Sequence, residues 1–117
     1  MNSSDAIVLT DGKGRILDVN APWEYLCGYS LEEVQGKTSA CLQGASTCPS
    51  AIAEISRKCR SHRAVRRSVV NYKKGNVGFV NNVMILPLYD PTVVDGPAFV
   101  ARLTDANALG LGDGLEA

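Results

Sequence analysis

Two short, mostly apolar segments near the start of the chain are typical of β-strands. They are residues 6–10 and 15–19, and the four residues between them include two glycines. Glycine takes positive φ angles at little steric cost, which suits a tight turn. The pattern therefore predicts a β-hairpin as the first pair of elements.

Helix signals follow the hairpin. Asn20 is a cap residue ahead of a short predicted helix that continues to Cys27. Ser30, with Glu33 three residues later, has the form of a capping box. It predicts a second short helix, which Gly36 ends.

Two more helices are predicted before the chain returns to strands. The first is short and covers residues 38–42. The second covers residues 49–61, where Ile52, Ile55 and Cys59 recur at spacings of three and four. These three side chains therefore share one face of the longer helix.

The last part of the pattern consists of strands. Residues 64–72, 77–88 and 97–104 are predicted strands, separated by a turn at 73–76 and by a loop at 90–96 that contains proline and glycine. Two strands, several helices and three strands in that order predict an α+β fold. We expect a five-stranded antiparallel sheet with the helices on one face.

Length and composition set the domain limits and exclude several partners. The chain has 117 residues, 45% of them hydrophobic, which suits one domain. We place it at residues 1–105, followed by a tail or linker at 106–117. Twelve basic and twelve acidic residues cancel, so no nucleic acid held by charge is expected. No apolar run approaches the ~20 residues of a membrane-spanning helix, so no membrane partner is expected.

The cysteines and the N-terminus predict a cytoplasmic location. Residues 1–5 lack the basic and apolar regions of a signal peptide. The four cysteines form no C-x-x-C pair, which favours free thiols in a reducing compartment. No histidine lies near Cys41 and Cys48 to complete a metal set, and no nucleophile–base pair or carboxylate pair is evident. We therefore expect no metal site, no catalytic residue and no enzyme activity.

Several short motifs carry a family resemblance. Residues 28–34 read G-Y-S-L-E-E-V, residues 36–44 read G-K-T-S-A-C-L-Q-G, and residues 79–81 read F-V-N. This set resembles LOV domains, the flavin-binding blue-light sensors of the PAS superfamily. In that family the three stretches read G-Y-S-x-E-E-V, G-R-N-C-R-F-L-Q-G and F-W-N. The resemblance implies the PAS fold, with a small-molecule pocket between the sheet and the helices.

The resemblance also implies a cofactor, FMN, with riboflavin as the alternative. Gln43 matches the family glutamine that contacts the sugar-alcohol chain, and Leu42 would pack on the ring. Asn71 and Asn81 match asparagines that hydrogen-bond the polar edge of the ring, because an amide offers both donor and acceptor. Strand parity should point both into the pocket. Spacings of three and four residues put Ser39, Leu42 and Gln43 on one helical face.

Ser39 stands where LOV domains carry the cysteine that bonds covalently to the photoexcited flavin. A thiol titrates near ~8.5, whereas a hydroxyl has no accessible anion near neutral pH. The sequence therefore predicts flavin binding without the cysteinyl-flavin adduct. Cys41 lies two residues further, about 200° around a helix, and is expected to face away.

Further departures from the family remove polar groups that it uses to hold the flavin. Ala40 and Ser56 replace arginines that grip the FMN phosphate, and Leu103 replaces a glutamine whose amide switches its hydrogen bond. Leu103 is still expected to face the pocket. Arg57 and Lys58, beside Ser56, either substitute for the lost arginine or belong to a solvated helix surface.

The outer face of the sheet is apolar for a surface. Its predicted members are Val70, Val80, Met84, Leu86, Val100 and Arg102. Such a cluster indicates an interface. The expected partner is a second copy of the chain or a flanking effector helix.

Two functions remain open at this point. The first is a LOV-like PAS sensory module that binds a flavin non-covalently and signals through protein contacts of its sheet. The alternative is a flavin-free PAS module for protein interaction or dimerisation, which Ala40, Ser56 and Leu103 favour.

Overall fold

The computed structural model describes residues 4–89, 91–92 and 95–109. No helix in these ranges is long and apolar enough to span a bilayer. In chain order the elements are β1 (Ala6–Asp11), β2 (Ile16–Val19), α1 (Ala21–Cys27), α2 (Leu31–Val34), a 3-10 helix (Ser39–Leu42), α3 (Pro49–Arg60), β3 (Val65–Lys73), β4 (Val77–Leu88), β5 (Ala98–Leu103) and a second 3-10 helix (Ala106–Leu109).

The five strands form one antiparallel sheet in the order β2-β1-β5-β4-β3. The first hairpin therefore occupies one edge, and the chain crosses one face of the sheet through its helices before β3 begins at the opposite edge. β5 then inserts between the two halves. The predicted α+β class, with a five-stranded antiparallel sheet and helices on one face, is confirmed.

Side-chain caps fix the ends of the first helices, as the sequence predicts. Asn20 Oδ1 accepts hydrogen bonds from the backbone N–H of Trp23, at 3.1 Å, and from that of Ile7, at 2.9 Å. Asn20 thus starts α1 and also ties it to β1. Ser30 and Glu33 form the predicted capping box at the start of α2.

The core lies where α1 and α2 cover the first hairpin. Trp23, Cys27 and Ile16 are fully shielded from solvent. Val8 and Val34 join them, each almost completely buried. Burial of such side chains is the main favourable contribution to folding.

The outer face of the sheet contains the residues that the strand parity predicts. Val70, Met84, Leu86 and Val100 are half-buried, and Val80 is 43% exposed. Arg102 lies among them, with its guanidinium near the sulfur of Met84.

The end of the domain differs in detail from the prediction. Residues 106–109, expected to begin a tail, form a short 3-10 helix against β4. Residues 110–117, the rest of the predicted tail or linker, lie outside the described residues. The domain limits therefore stay a prediction.

The linker between the first 3-10 helix and α3 is held against β3. The Tyr72 hydroxyl accepts a hydrogen bond from the backbone N–H of Ser46 (2.9 Å), and Thr47 Oγ1 donates to the Val70 carbonyl (2.6 Å). Gly44 lies directly on the Tyr72 ring. A Cβ at Gly44 would be 2.3 Å from Cδ1 of Tyr72, far inside van der Waals contact. The glycine is required by this close approach.

We predict that Gly44→Ala destabilises the domain by about 1–3 kcal/mol, the usual cost of forcing an extra carbon into a packed site. Urea unfolding of the variant and the parent measures the change. In a Tyr72→Ala background the same substitution should cost nothing, because the ring that it meets is gone. An equal loss in both backgrounds would contradict this explanation.

Candidate ligand-binding site

A cavity of about 600 Å³ lies between the inner face of the sheet and the helices. This volume is within the range of small-molecule sites. β1, β3, β4 and β5 form its floor, and the first 3-10 helix and α3 form its other walls. Its lining is mostly apolar, with Val8, Val69, Val83 and Ile85 from the sheet.

α3 presents the face that the sequence predicts. Ile52, Ile55 and Cys59 all line the cavity, and Ser56 lies among them. Burial raises the pKa of the Cys59 thiol. Cys59 is thus a neutral thiol in the cavity wall. Cys48, at the start of the same helix, is exposed, and its hydrogen bond to Ser50 lowers the pKa of its thiol.

All six predicted ligand contacts lie around this one cavity. They are Ser39, Leu42, Gln43, Asn71, Asn81 and Leu103. They come from four separate elements or their ends, so the fold brings together residues up to 64 positions apart (103 − 39). Their contacts with a ligand stay a prediction.

A chain of buried amides crosses one end of the cavity. The backbone N–H of Thr104 donates to Asn81 Oδ1 (3.1 Å), and Asn81 Nδ2 donates to Asn71 Oδ1 (2.9 Å). Asn71 Nδ2 then donates to the carbonyl of Leu42 (3.1 Å). Both asparagines are almost completely buried. The chain therefore links β5, β4 and β3 to the first 3-10 helix through side chains.

This amide chain keeps unused hydrogen-bonding capacity. A carboxamide has two N–H donors and an oxygen that accepts twice. Asn71 Nδ2 uses both donors, since it also reaches the Val70 carbonyl at 3.3 Å. One N–H of Asn81 and one lone pair on each amide oxygen have no partner among the described residues. The pair can thus present a donor beside acceptors to a polar ring edge.

The predicted helical face that Ser39, Leu42 and Gln43 share needs correction, because residues 39–42 form a 3-10 helix. An α-helix would align Ser39, Leu42 and Gln43, but three residues per turn align only positions i and i+3. Gln43 instead caps the helix with an extended backbone. Ser39 and Gln43 are exposed at the rim, and Leu42 is buried. Cys41 packs against the core and does not line the cavity.

The floor of the cavity under β5 is apolar. Phe99, Ala101 and Leu103 all face it, as strand parity predicts. Leu103 offers no hydrogen bond, so the polar groups at this end are the amides of Asn71 and Asn81.

Arg57 and Lys58 belong to the solvated surface of α3, one of the two alternatives for them, and do not line the cavity. Arg57 is exposed away from it, and Lys58 pairs with Glu54 at 3.4 Å, so neither replaces the arginine lost at Ser56. Arg60 lines the cavity instead. It lies four residues after Ser56, hence on the same helical face. That spacing was the signal in the sequence that could have identified it.

Comparison with protein families places these features among known proteins. The model of the PAS domain family matches residues 4–105. A blue-light-activated histidine kinase of Rhizobium johnstonii is 35% identical over 86 residues, which are 71% of this chain and 25% of the kinase. A blue-light photoreceptor of Listeria monocytogenes is 31% identical over 91 residues, 75% of this chain and 36% of that protein. The chain thus spans about a quarter to a third of these relatives.

Solved structures share the architecture. The LOV domain of a blue-light activated histidine kinase of Erythrobacter litoralis superposes with a TM-score of 0.79 at 27% identity, covering 87% of this chain and 95% of that domain. A fungal LOV domain photoreceptor superposes with a TM-score of 0.79 at 30% identity, covering 90% of this chain and 78% of that one.

We predict that Asn81→Ala lowers the free energy of unfolding by about 1–3 kcal/mol, because it leaves Asn71 Oδ1 and the Thr104 N–H buried without partners. Chemical denaturation measures this loss. Asn82→Ala is the matched control, since Asn82 is the next residue on β4 and points to the outer face, where it accepts from Ser68. Its expected cost is within about 0.5 kcal/mol. Equal costs at the two positions would refute the role of the amide chain.

Proposed function

This chain belongs to the PAS domain family, with LOV domains among its relatives, and we propose that it is a sensory module that binds a flavin non-covalently. FMN is the expected cofactor, and riboflavin is the alternative. A bound flavin would supply absorption of blue light. The module itself would carry no catalytic residue, and its output would pass to a partner through protein contacts.

The amide pair is the observation that carries this proposal. Asn71 and Asn81 hold a donor and acceptors at one end of a mostly apolar cavity of about 600 Å³. A flat heteroaromatic ring with a polar edge matches this arrangement, because its apolar body fits the aliphatic walls and its edge meets the amides. Leu42 lines the same cavity, where it can pack on such a ring. The donor set therefore fits a flavin.

The chemistry of the wall favours non-covalent binding. Ser39 lines the cavity with a hydroxyl, and Cys41 is directed to the core. Cys59 does line the cavity, but burial raises the pKa of its thiol and so disfavours the reactive thiolate.

The alternative function is a flavin-free PAS module for protein interaction or dimerisation. Leu103 favours this alternative. Leucine can neither hydrogen-bond a flavin ring nor switch a hydrogen bond as the family glutamine does. The apolar outer face of the sheet serves either function. A second copy or a flanking effector helix would cover Val80 and its neighbours, which a monomer leaves partly exposed.

The proposal predicts that the purified protein takes up flavin. Titration with FMN or riboflavin should raise the melting temperature, because a ligand that binds only the folded state stabilises it by mass action. Asn81→Leu should weaken this effect by about tenfold in affinity, whereas Asn82→Leu, on the outer face, should not. A protein that carries no flavin and is stabilised by neither compound would favour the flavin-free module.

Ser39→Cys tests the geometry of the wall. We predict that illumination of this variant, loaded with flavin, reversibly lowers its absorption of blue light, because the thiol restores the nucleophile at the family position. The parent protein should not lose this band in the same manner. A band that is equally stable to light in both proteins would show that Ser39 is displaced from the ring.

A further inference from the structure

The charged side chains around the cavity have a single sign. Among the described residues that line it, Lys13 and Arg60 are the only charged ones, and both are cations. Lys13 lies in the turn between β1 and β2, and Arg60 is the last residue of α3. An apolar cavity with only positive charge at its wall favours a ligand that carries negative charge.

Neither cation has an acidic partner in the described part of the chain. The ion pairs there engage other basic residues: Arg15 with Asp11, Lys58 and Arg67 with Glu54, Lys73 with Asp105, and Lys74 with Glu33. Asp11, next to Lys13 in sequence, is committed to its own turn, where it accepts hydrogen bonds from the backbone of Lys13 and Arg15 and from the Arg15 side chain. The charges of Lys13 and Arg60 are thus available.

The two cations lie at the opposite end of the cavity from the amides. Asp11 pairs with Ala98 at the start of β5, and a Cβ on Gly12 would lie 3.1 Å from Pro97. The amide chain reaches Thr104, just past the other end of β5. The five steps from Ala98 to Leu103 span about 17 Å at the usual rise per strand residue.

A recess of about 450 Å³ continues the cavity at the cationic end. Gly12, Lys13, Cys59 and Arg60 line both spaces, and His62 lies on the recess side. Asp11 and Arg15 line the recess as an ion pair, and Asp95 is the other acidic side chain on it in the described part of the chain. The recess is open to solvent, so an anionic group in it would keep part of its hydration.

We propose that Lys13 and Arg60 form a phosphate-binding end of the cavity, which anchors the phosphate monoester of FMN while its ring edge meets Asn71 and Asn81. This inference rests on the proposed function. It assigns a task to two residues that do not occupy the arginine positions of LOV domains. Arg60 is one helical turn beyond Ser56, and Lys13 comes from a different element altogether.

The attraction for a phosphate comes from the side-chain charges and not from the helix dipole. Arg60 lies at the C-terminal end of α3, where free carbonyls carry partial negative charge. The helix therefore does not attract a phosphate, unlike a helix N-terminus. A guanidinium can bind phosphate through two parallel hydrogen bonds, whereas an ammonium acts as a point charge. Because both groups are near solvent, their attraction should weaken as salt is added.

Paired titrations with FMN and riboflavin test the assignment, since the two ligands differ only in the phosphate. In the parent protein FMN should bind about tenfold more tightly than riboflavin at low salt, as expected for charge-assisted contacts. Arg60→Ala and Lys13→Ala should each reduce FMN affinity toward that of riboflavin and leave riboflavin unchanged. Arg60→Lys should be intermediate, and Asp95→Asn should tighten FMN only.

Arg57→Ala is the matched control, because it removes an exposed arginine from the same helix without touching the cavity. It should leave both affinities unchanged.

A second readout is alkylation of Cys59, located by mass spectrometry, which FMN should slow more than riboflavin plus inorganic phosphate does. Cys48, exposed at the start of the same helix, is the control for any effect of the ligands on the alkylating reagent itself.

The outcomes separate this inference from the proposed function. Equal affinities for FMN and riboflavin, or equal losses from Arg60→Ala and Arg57→Ala, overturn the phosphate end while flavin binding stands. If neither compound binds, the proposed function fails, and the phosphate end fails with it.

Discussion

The hydrogen-bonded chain from Thr104 through Asn81 and Asn71 to Leu42 is the constraint on which the site depends. A buried amide without partners is costly, so each link is satisfied only when β5, β4, β3 and the 3-10 helix hold their relative positions. The same residues that present polar groups to the cavity thus also close the fold around it. Their side chains are ordered on folding, so a ligand does not have to order them on binding.

The two ends of the cavity are suited to different kinds of recognition. The amide end is buried and neutral, where directional hydrogen bonds discriminate strongly between ring edges. The cationic end is open to water, where attraction is long-ranged but weaker and sensitive to salt. Mostly apolar side chains separate the two ends. An elongated molecule with a neutral polar head and an anionic tail is complementary to this distribution.

Local signals in the sequence were sufficient for most of the fold. The apolar strand segments, the Asn20 cap and the Ser30–Glu33 capping box depend on nearby residues, and the structure confirms them. The 3-10 geometry at Ser39–Leu42 could not be predicted in this way, because four residues do not distinguish its period from that of an α-helix. Position-by-position matching with the family does not single out Arg60, because it stops at Ser56, one turn earlier. Lys13 reaches the cavity only through the pairing of β1 with β5, a long-range contact.

The contact between Gly44 and Tyr72 joins two segments that are 28 positions apart (72 − 44). The segment that carries Ser39 and Gln43 therefore depends on Tyr72 for its packing and is not an independent unit. If it is exchanged for the loop of another family member, the graft must bring a glycine that fits this tyrosine, or the aromatic residue must be exchanged with it. Chimeras built at the boundaries of the loop alone should be prone to misfolding, whereas chimeras that transfer both segments should preserve the shape of the cavity.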